Sequence, residues 1–258
     1  MRSNGRVRVL SAAGEWVYTS AMPTTRCLAG PLWPYLLLPM LLLAAPARAD
    51  FETGVEAYRA GDFEAAAAAF RQAAEAGDVS AQYNLGLLYS YGQGVAQDDA
   101  AALAWWRRAA DHGHAAAQNN LATMLRLGQG AAQDEAAAVR WYRAAAMAGH
   151  ADAAYNLATM YAAGEGTLRD AALAARWYLV AAEQGLAKAQ NNLAIAYETG
   201  RGVRQDPVTA QVWFLIAAAR GDAKAAQNAE RLGAHLDEAA RQEAERRAKR
   251  WLKARPRL

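Results

Sequence analysis

Residues 79–114 read VSAQYNLGLLYSYGQGVAQDDAAALAWWRRAADHGH, and the stretches beginning at Ala115, Ala151 and Ala187 keep its spacing. Asn84, Asn120, Asn156, Asn192 and Asn228 stand 36 residues apart. The same interval relates Gly77, Gly113, Gly149, Gly185 and Gly221, the pairs Gly92/Gly94 through Gly200/Gly202, and Trp105, Trp141, Trp177 and Trp213. A fixed period of this length is the signature of a repeat architecture, so the period decides the fold before any single segment does.

Each unit holds two apolar-periodic segments parted by a G-x-G turn. In the first, Ala81, Leu85, Leu88 and Tyr89 fall at i, i+4, i+7 and i+8 and make one buried stripe. Gly86, replaced later by Ala122, Ala158 and Ala194, is small beside that stripe and lets a second helix come close. In the second segment Trp105, Trp106, Ala109 and Ala110 form a wide apolar face, with Trp141/Tyr142, Trp177/Tyr178 and Trp213/Phe214 in the same places. The paired glycines are expected to take positive φ at the helix end and in the turn. Asp98, Asp134, Asp170 and Asp206 then stand where the second helix needs its N-cap. A hairpin this small cannot bury its own face, so successive hairpins must stack.

The order A-x-A/Q-x-N-L-G/A, then G-x-G, then Asp, Trp and A-A-x-x-G resembles the Sel-one-like repeat, a longer variant of the tetratricopeptide repeat. Four units carry it: residues 79–114, 115–150, 151–186 and 187–222. Residues 50–78, with Gly61-Asp62-Phe63, Ala66, Phe70 and Ala73, resemble a plain tetratricopeptide hairpin, and residues 223–235 resemble a partial repeat. The resemblance implies an all-α fold, a right-handed α-solenoid of helix hairpins used as a protein-interaction scaffold, with the first helices lining a concave groove. Departures lie in the turns: Gly130-Ala131, Gly166-Thr167-Leu168-Arg169, and the loss in the third unit of the Gln that precedes the capping Asp elsewhere. Over residues 236–258 the repeat stops, and a basic amphipathic helix with Leu236, Ala240, Ala244, Ala248 and Trp251 is expected to cap the last hairpin.

The first 49 residues read as a signal peptide. Leu36 to Leu43 form an apolar run broken by Pro39, short of the roughly 20 residues that cross a bilayer. Ala47-Arg48-Ala49 supplies a small-residue cleavage site before Asp50. The leader fits a start at Met1 or at Met22, the second placing Arg26 at a normal distance from the apolar run. An exported chain, periplasmic or secreted, with no stable membrane span is the expectation. Cys27, the only cysteine, precedes the apolar run, so neither a disulfide framework nor an acylated mature terminus suits the sequence. Beyond residue 49 the net charge is −1, polarised between an acidic body and a tail, residues 241–258, with eight basic and two acidic groups.

The residues offer little for catalysis. Ser80 and Ser90 are the only serines after residue 49, no thiol remains, and Asp98/Asp99 reads as a recurring helix cap and not as a catalytic pair. His112, His114 and His150 read as loop residues, and no metal or cofactor is expected. On a helical wheel the Asn stripe lies about 85° from the centre of the buried stripe, where each amide can satisfy a carbonyl of the adjoining turn, with direct contact to a ligand as the alternative. The side chains opposite the buried stripe are the candidate partner-binding groove: Tyr83, Leu87 and Ser90, then Asn119, Thr123 and Arg126, then Tyr155 and Thr159, then Asn191, Ile195 and Glu198. The expected partner is a protein or peptide segment of the cell envelope. Envelope polysaccharide is the alternative, weakened by aromatics that fall on the buried faces. Nucleic acid is not expected, since an exported chain rarely meets it and the basic tail reads as a solvated helix end.

Overall fold

The structure, a computed structural model, describes residues 7–10, 16–19 and 44–256. Two compact units are present, divided after Leu42. In the first, strands β1 (Val7–Leu10) and β2 (Trp16–Thr19) pair antiparallel with Val9 opposite Val17. The sequence reading assigned no element there; alternating β-branched residues on both segments account for the pairing. The apolar run at 36–43 and Cys27 lie outside the described residues.

The second unit is all helical and bears out the solenoid. Its helices are α1 (Ala44–Ala60), α2 (Phe63–Glu75), α3 (Val79–Tyr91), α4 (Asp99–Asp111), α5 (Ala115–Leu127), α6 (Glu135–Met147), α7 (Ala151–Ala163), α8 (Ala171–Glu183), α9 (Ala187–Thr199), α10 (Pro207–Ala219), α11 (Ala223–Gly233) and α12 (Glu238–Ala254). From α1 to α11 each packs against the next in the chain, and α12 returns onto α10. α1 begins upstream of Asp50 and runs through the Ala47-Arg48-Ala49 end of the expected leader.

The turn chemistry is local and regular. Asp98, Asp134, Asp170 and Asp206 each accept a hydrogen bond at Oδ1 from the backbone N–H three residues on, at 2.8–2.9 Å. Gly92, Gly128, Gly164 and Gly200 end the first helices in the left-handed conformation. The second turn glycine carries a further constraint. Gly166 has φ +62°, and a Cβ on it would stand 2.4 Å from the Glu135 carbonyl of the preceding repeat; at Gly202 the clash would be 2.0 Å from the Ala171 oxygen. Each turn is thereby seated on the start of the previous second helix, which admits no side chain there.

Alanines, the leucines Leu85, Leu121, Leu157 and Leu193, and large aromatics fill the core. Trp106, Tyr142, Tyr178 and Phe214 are buried, while the neighbouring Trp105, Trp141 and Trp177 are only half-buried, unlike the fully inward aromatic pair the sequence suggests. Buried Gln82, Gln118 and Gln190 donate from Nε2 to the carbonyls of Ala74, Ala110 and Ala182 at 2.9–3.2 Å. They tie α3, α5 and α9 to the end of the preceding second helix, and such a buried bond is costly to break. At the far end α12 buries Ala244 and Ala248 and sets Trp251 edge-on to Trp213 at 5.8 Å, with Arg220 and Arg255 over the Trp251 ring. Arg247 donates to Thr209 Oγ1, so part of the basic tail is engaged in capping the stack.

Candidate interaction surface

The first helices α3, α5, α7, α9 and α11 bury one side against their partners and leave the other side partly open. Ten of the eleven candidate residues are partly exposed on these helices. None is free of the protein, however. Tyr83, Leu87, Ser90, Asn119, Thr123, Arg126, Tyr155, Thr159, Ile195 and Glu198 are half-buried, and Asn191 is only 8% exposed. An isolated wheel puts them opposite the core, but stacking brings each first helix against the next, and residues facing away from one neighbour meet another.

Their contacts are specific. Tyr83 stacks on His114 with ring centroids 4.5 Å apart. Thr123 Oγ1 donates to the Asn119 carbonyl and lies 2.8 Å from the Tyr142 hydroxyl. Thr159 Oγ1 donates to the Asn156 carbonyl. Lys188 sits 4.5 Å over the Tyr155 ring and pairs with Asp152 at 2.8 Å. Arg126 pairs with Glu165 at 3.2 Å, and Arg231 grips both oxygens of Glu198 at 2.7 and 2.9 Å. Leu87 and Ile195 pack against the core.

The Asn stripe is not separate from this surface, which corrects the sequence reading. Asn84 does donate to the Ser80 carbonyl of its own helix, as a structural amide would. Asn156 instead donates to Asn119 Oδ1 at 3.1 Å, Asn119 donates to Asn120 Oδ1 at 3.4 Å, and the Asn120 side chain meets the Tyr83 hydroxyl. The amide part recurs two repeats later: Asn228 donates to Asn191 Oδ1 at 3.1 Å and Asn191 to Asn192 Oδ1 at 3.5 Å, but Asn192 meets the hydroxyl of Tyr178 on the second helix α8, not Tyr155, the counterpart of Tyr83. Stripe and candidate groove form one amide and phenol surface. Burial raises the pKa of Tyr83, Tyr142 and Tyr178, so their hydroxyls stay protonated and able to donate at neutral pH.

Two residues read as plain loop have a role. His114 and His150 are the N-caps of α5 and α7, each accepting at Nδ1 from the backbone N–H of Ala117 or Ala153 at 3.2 and 3.3 Å. Burial lowers both pKa values, which favours the neutral ring that can accept. The signal was present in the sequence: the same position is Asp78 and Asp222, both of which cap their helices. Leu186 holds it in the fourth repeat and makes no side-chain cap.

Among the described residues no group of three or more His, Cys, Asp or Glu side chains comes together as a metal site, and no helix is long and apolar enough to cross a membrane. Asp98 is committed to capping α4. What the geometry offers is a row of hydrogen-bonding and aromatic groups along stacked hairpins, the layout of a binding scaffold.

The Sel1 repeat family model matches residues 79–114, 115–150, 151–186 and 187–222, more than half the chain, and the chain belongs to that family. Its members are generally non-catalytic scaffolds on a fold commonly used for protein–protein interaction. A Sel1 repeat protein from Oxalobacter formigenes is 34% identical, with TM-score 0.65 over 68% of this chain and 72% of that one. A protective antigen present in uropathogenic Escherichia coli strains and displaying an SLR fold is 29% identical, with TM-score 0.72 over 79% of this chain. The match spans 46% of that antigen, about half its length. No curated protein sequence matches the chain.

Proposed function

We propose that the chain is an exported scaffold whose concave groove holds an extended segment of another cell-envelope protein. The observation that carries this reading is the continuous row of amides, phenols and ion pairs on successive first helices, from Tyr83 to Arg231. An extended segment presents backbone donors and acceptors at every residue, and an Asn amide offers one of each. Tyr83 and Tyr155 add rigid aromatic anchors of the kind that concentrate binding energy. The leader and its small-residue end support export.

The test is a photo-crosslinking amino acid placed at Tyr83, Tyr155 or Thr159 in the intact protein in cells, with a position on α12 as control. The reading expects one envelope protein joined from the groove positions and not from Arg250. Crosslinks from Arg250 alone, abolished by salt, would replace the groove with an electrostatic contact through the tail.

A second reading is contact with envelope polysaccharide. It is favoured by Trp105, Trp141 and Trp177, which recur on successive second helices without being sealed in the core. Co-sedimentation with peptidoglycan, lost in the triple Trp→Ala variant, would support it over the first.

A further inference from the structure

At one joint of the stack the repeat pattern lapses. The tenth residue of each first helix is Leu88, Met124, Met160, Ala196 or Leu232, and the matching residue of the preceding second helix is Ala67, Leu103, Val139, Ala175 or Gln211. Only where α8 meets α9 are both members alanine. A cavity of about 170 Å³ opens there, walled by Ala174, Ala175, Ala196 and Ile195, with Tyr178 and Asn192 on its lining. A space of this kind is about the size that accepts a benzene ring.

The charges around the mouth change at the same joint and in the same direction. Arg169 stands where the other repeats have Gln97, Gln133 and Gln205, and Arg201 stands where they have Gln93, Gln129 and Glu165. Ala171 replaces the carboxylates of Asp99 and Glu135 in the first turn of the second helix. Both arginines line the cavity and neither guanidinium has a hydrogen-bond or ion-pair partner among the described residues. The nearby acids are already engaged: Asp170 caps α8 through the Leu173 N–H, and Glu165 pairs with Arg126. Five departures from the repeat, two emptying a space and three making its rim more positive, thus converge on one place.

We infer that this cavity binds a small carboxylate, an acid whose compact apolar body fills the room left by Ala175 and Ala196 while its carboxylate meets Arg169 and Arg201. Guanidinium groups suit this ligand because their fork matches the two oxygens of a carboxylate. Tyr178 and Asn192, hydrogen-bonded to each other, give the wall one polar edge. The same chemistry is presented by a free organic acid or by the terminal residue of a polypeptide. The site does not depend on the groove reading.

Titration calorimetry on the intact protein tests it with benzoate, with benzamide as the neutral isostere. A tripeptide, Ala-Ala-Phe, with a free or amidated carboxyl end forms the second arm. Benzoate is expected to bind at least about tenfold more tightly than benzamide, and Arg169→Gln with Arg201→Gln is expected to erase that preference. Ala196→Met restores the residue that repeats 2 and 3 use, so it should fold as well as the parent and lose binding. Tighter binding of the free tripeptide than of benzoate assigns the site to a polypeptide end, and the reverse assigns it to a free acid. Absence of saturable binding to either carboxylate overturns the inference, as does binding that survives Ala196→Met or the double arginine variant.

Discussion

Asn156 reaches back across one whole repeat to hydrogen-bond Asn119, Nδ2 to Oδ1 at 3.1 Å. The bond joins α7 to α5 through side chains on the open face, where the two helices have no other hydrogen bond of this kind. It makes the same amides both a fastening between repeats and part of the proposed partner-binding surface.

A double-mutant cycle on that pair measures the fastening. Asn156→Ala and Asn119→Ala should each cost about 1 kcal/mol in urea unfolding, with a coupling of roughly 0.5–1.5 kcal/mol. Strictly additive losses would show that the two amides act independently.

Gly166 and Gly149 separate two penalties that the sequence merges. Both have positive φ, but nothing lies within 4 Å of a Cβ on Gly149, whereas Gly166 faces the Glu135 backbone at 2.4 Å. Gly149→Ala should cost about 1 kcal/mol from conformation alone. Gly166→Ala must also push two repeats apart and should cost at least about 3 kcal/mol. Equal urea midpoints for the two variants would refute the seating of turn on helix.

The histidine caps predict a pH dependence. The neutral ring accepts the Ala117 or Ala153 N–H, and both folded-state pKa values lie below the ordinary histidine value. The unfolded chain therefore takes up protons first as pH falls, so stability is complete above about 6.5 and declines below it. The loss is bounded by about 1 kcal/mol per cap. Asp152 beside His150 works against its shift, and His150 itself adds to that of His114. His114→Asp with His150→Asp should flatten the midpoint between pH 7.5 and 5; an unchanged slope would show that other groups carry it.

Deleting residues 236–258 should uncover Trp213 and the α10 face beneath Ala244 and Ala248. The truncated chain is expected to melt lower and to associate on gel filtration. Trp251→Ala, which removes only the ring over Trp213, should cost about 2 kcal/mol. A truncated chain as stable and monomeric as the parent would make this segment a mere tail.

Export with cleavage between Ala49 and Asp50 predicts a mature amino terminus at Asp50. N-terminal sequencing of protein from the cell envelope checks it, and recovery of residues upstream of Asp50 would count against the leader.

What the sequence made legible follows from where the causes lie. The turn glycines and Asp98, Asp134, Asp170 and Asp206 act through their own backbone neighbourhood, so their spacing alone reveals them. The candidate surface was harder because a wheel drawn for one helix omits the next one. Asn119 and Asn191 were placed facing open space and are instead bonded across the joint. The His caps were missed because imidazole is a rare acceptor at that position, although Asp78 and Asp222 marked the need. The Gln-to-Arg change at 169 was visible as a lapse in the pattern. Its meaning waited on the cavity that Ala175 and Ala196 leave beside it.

The amide relay also gives the molecule two rhythms. Turns and cores recur with every hairpin, but Asn119 and Asn191 alternate with Tyr83 and Tyr155, so the relay recurs only with every second one. Excising one hairpin would leave a stack with all its seams closed and its surface out of phase, whereas excising two adjacent hairpins would return the surface to step. Gain and loss of single units, harmless to folding, would then be penalised by recognition, and viable length variants of this chain should differ by even numbers of hairpins.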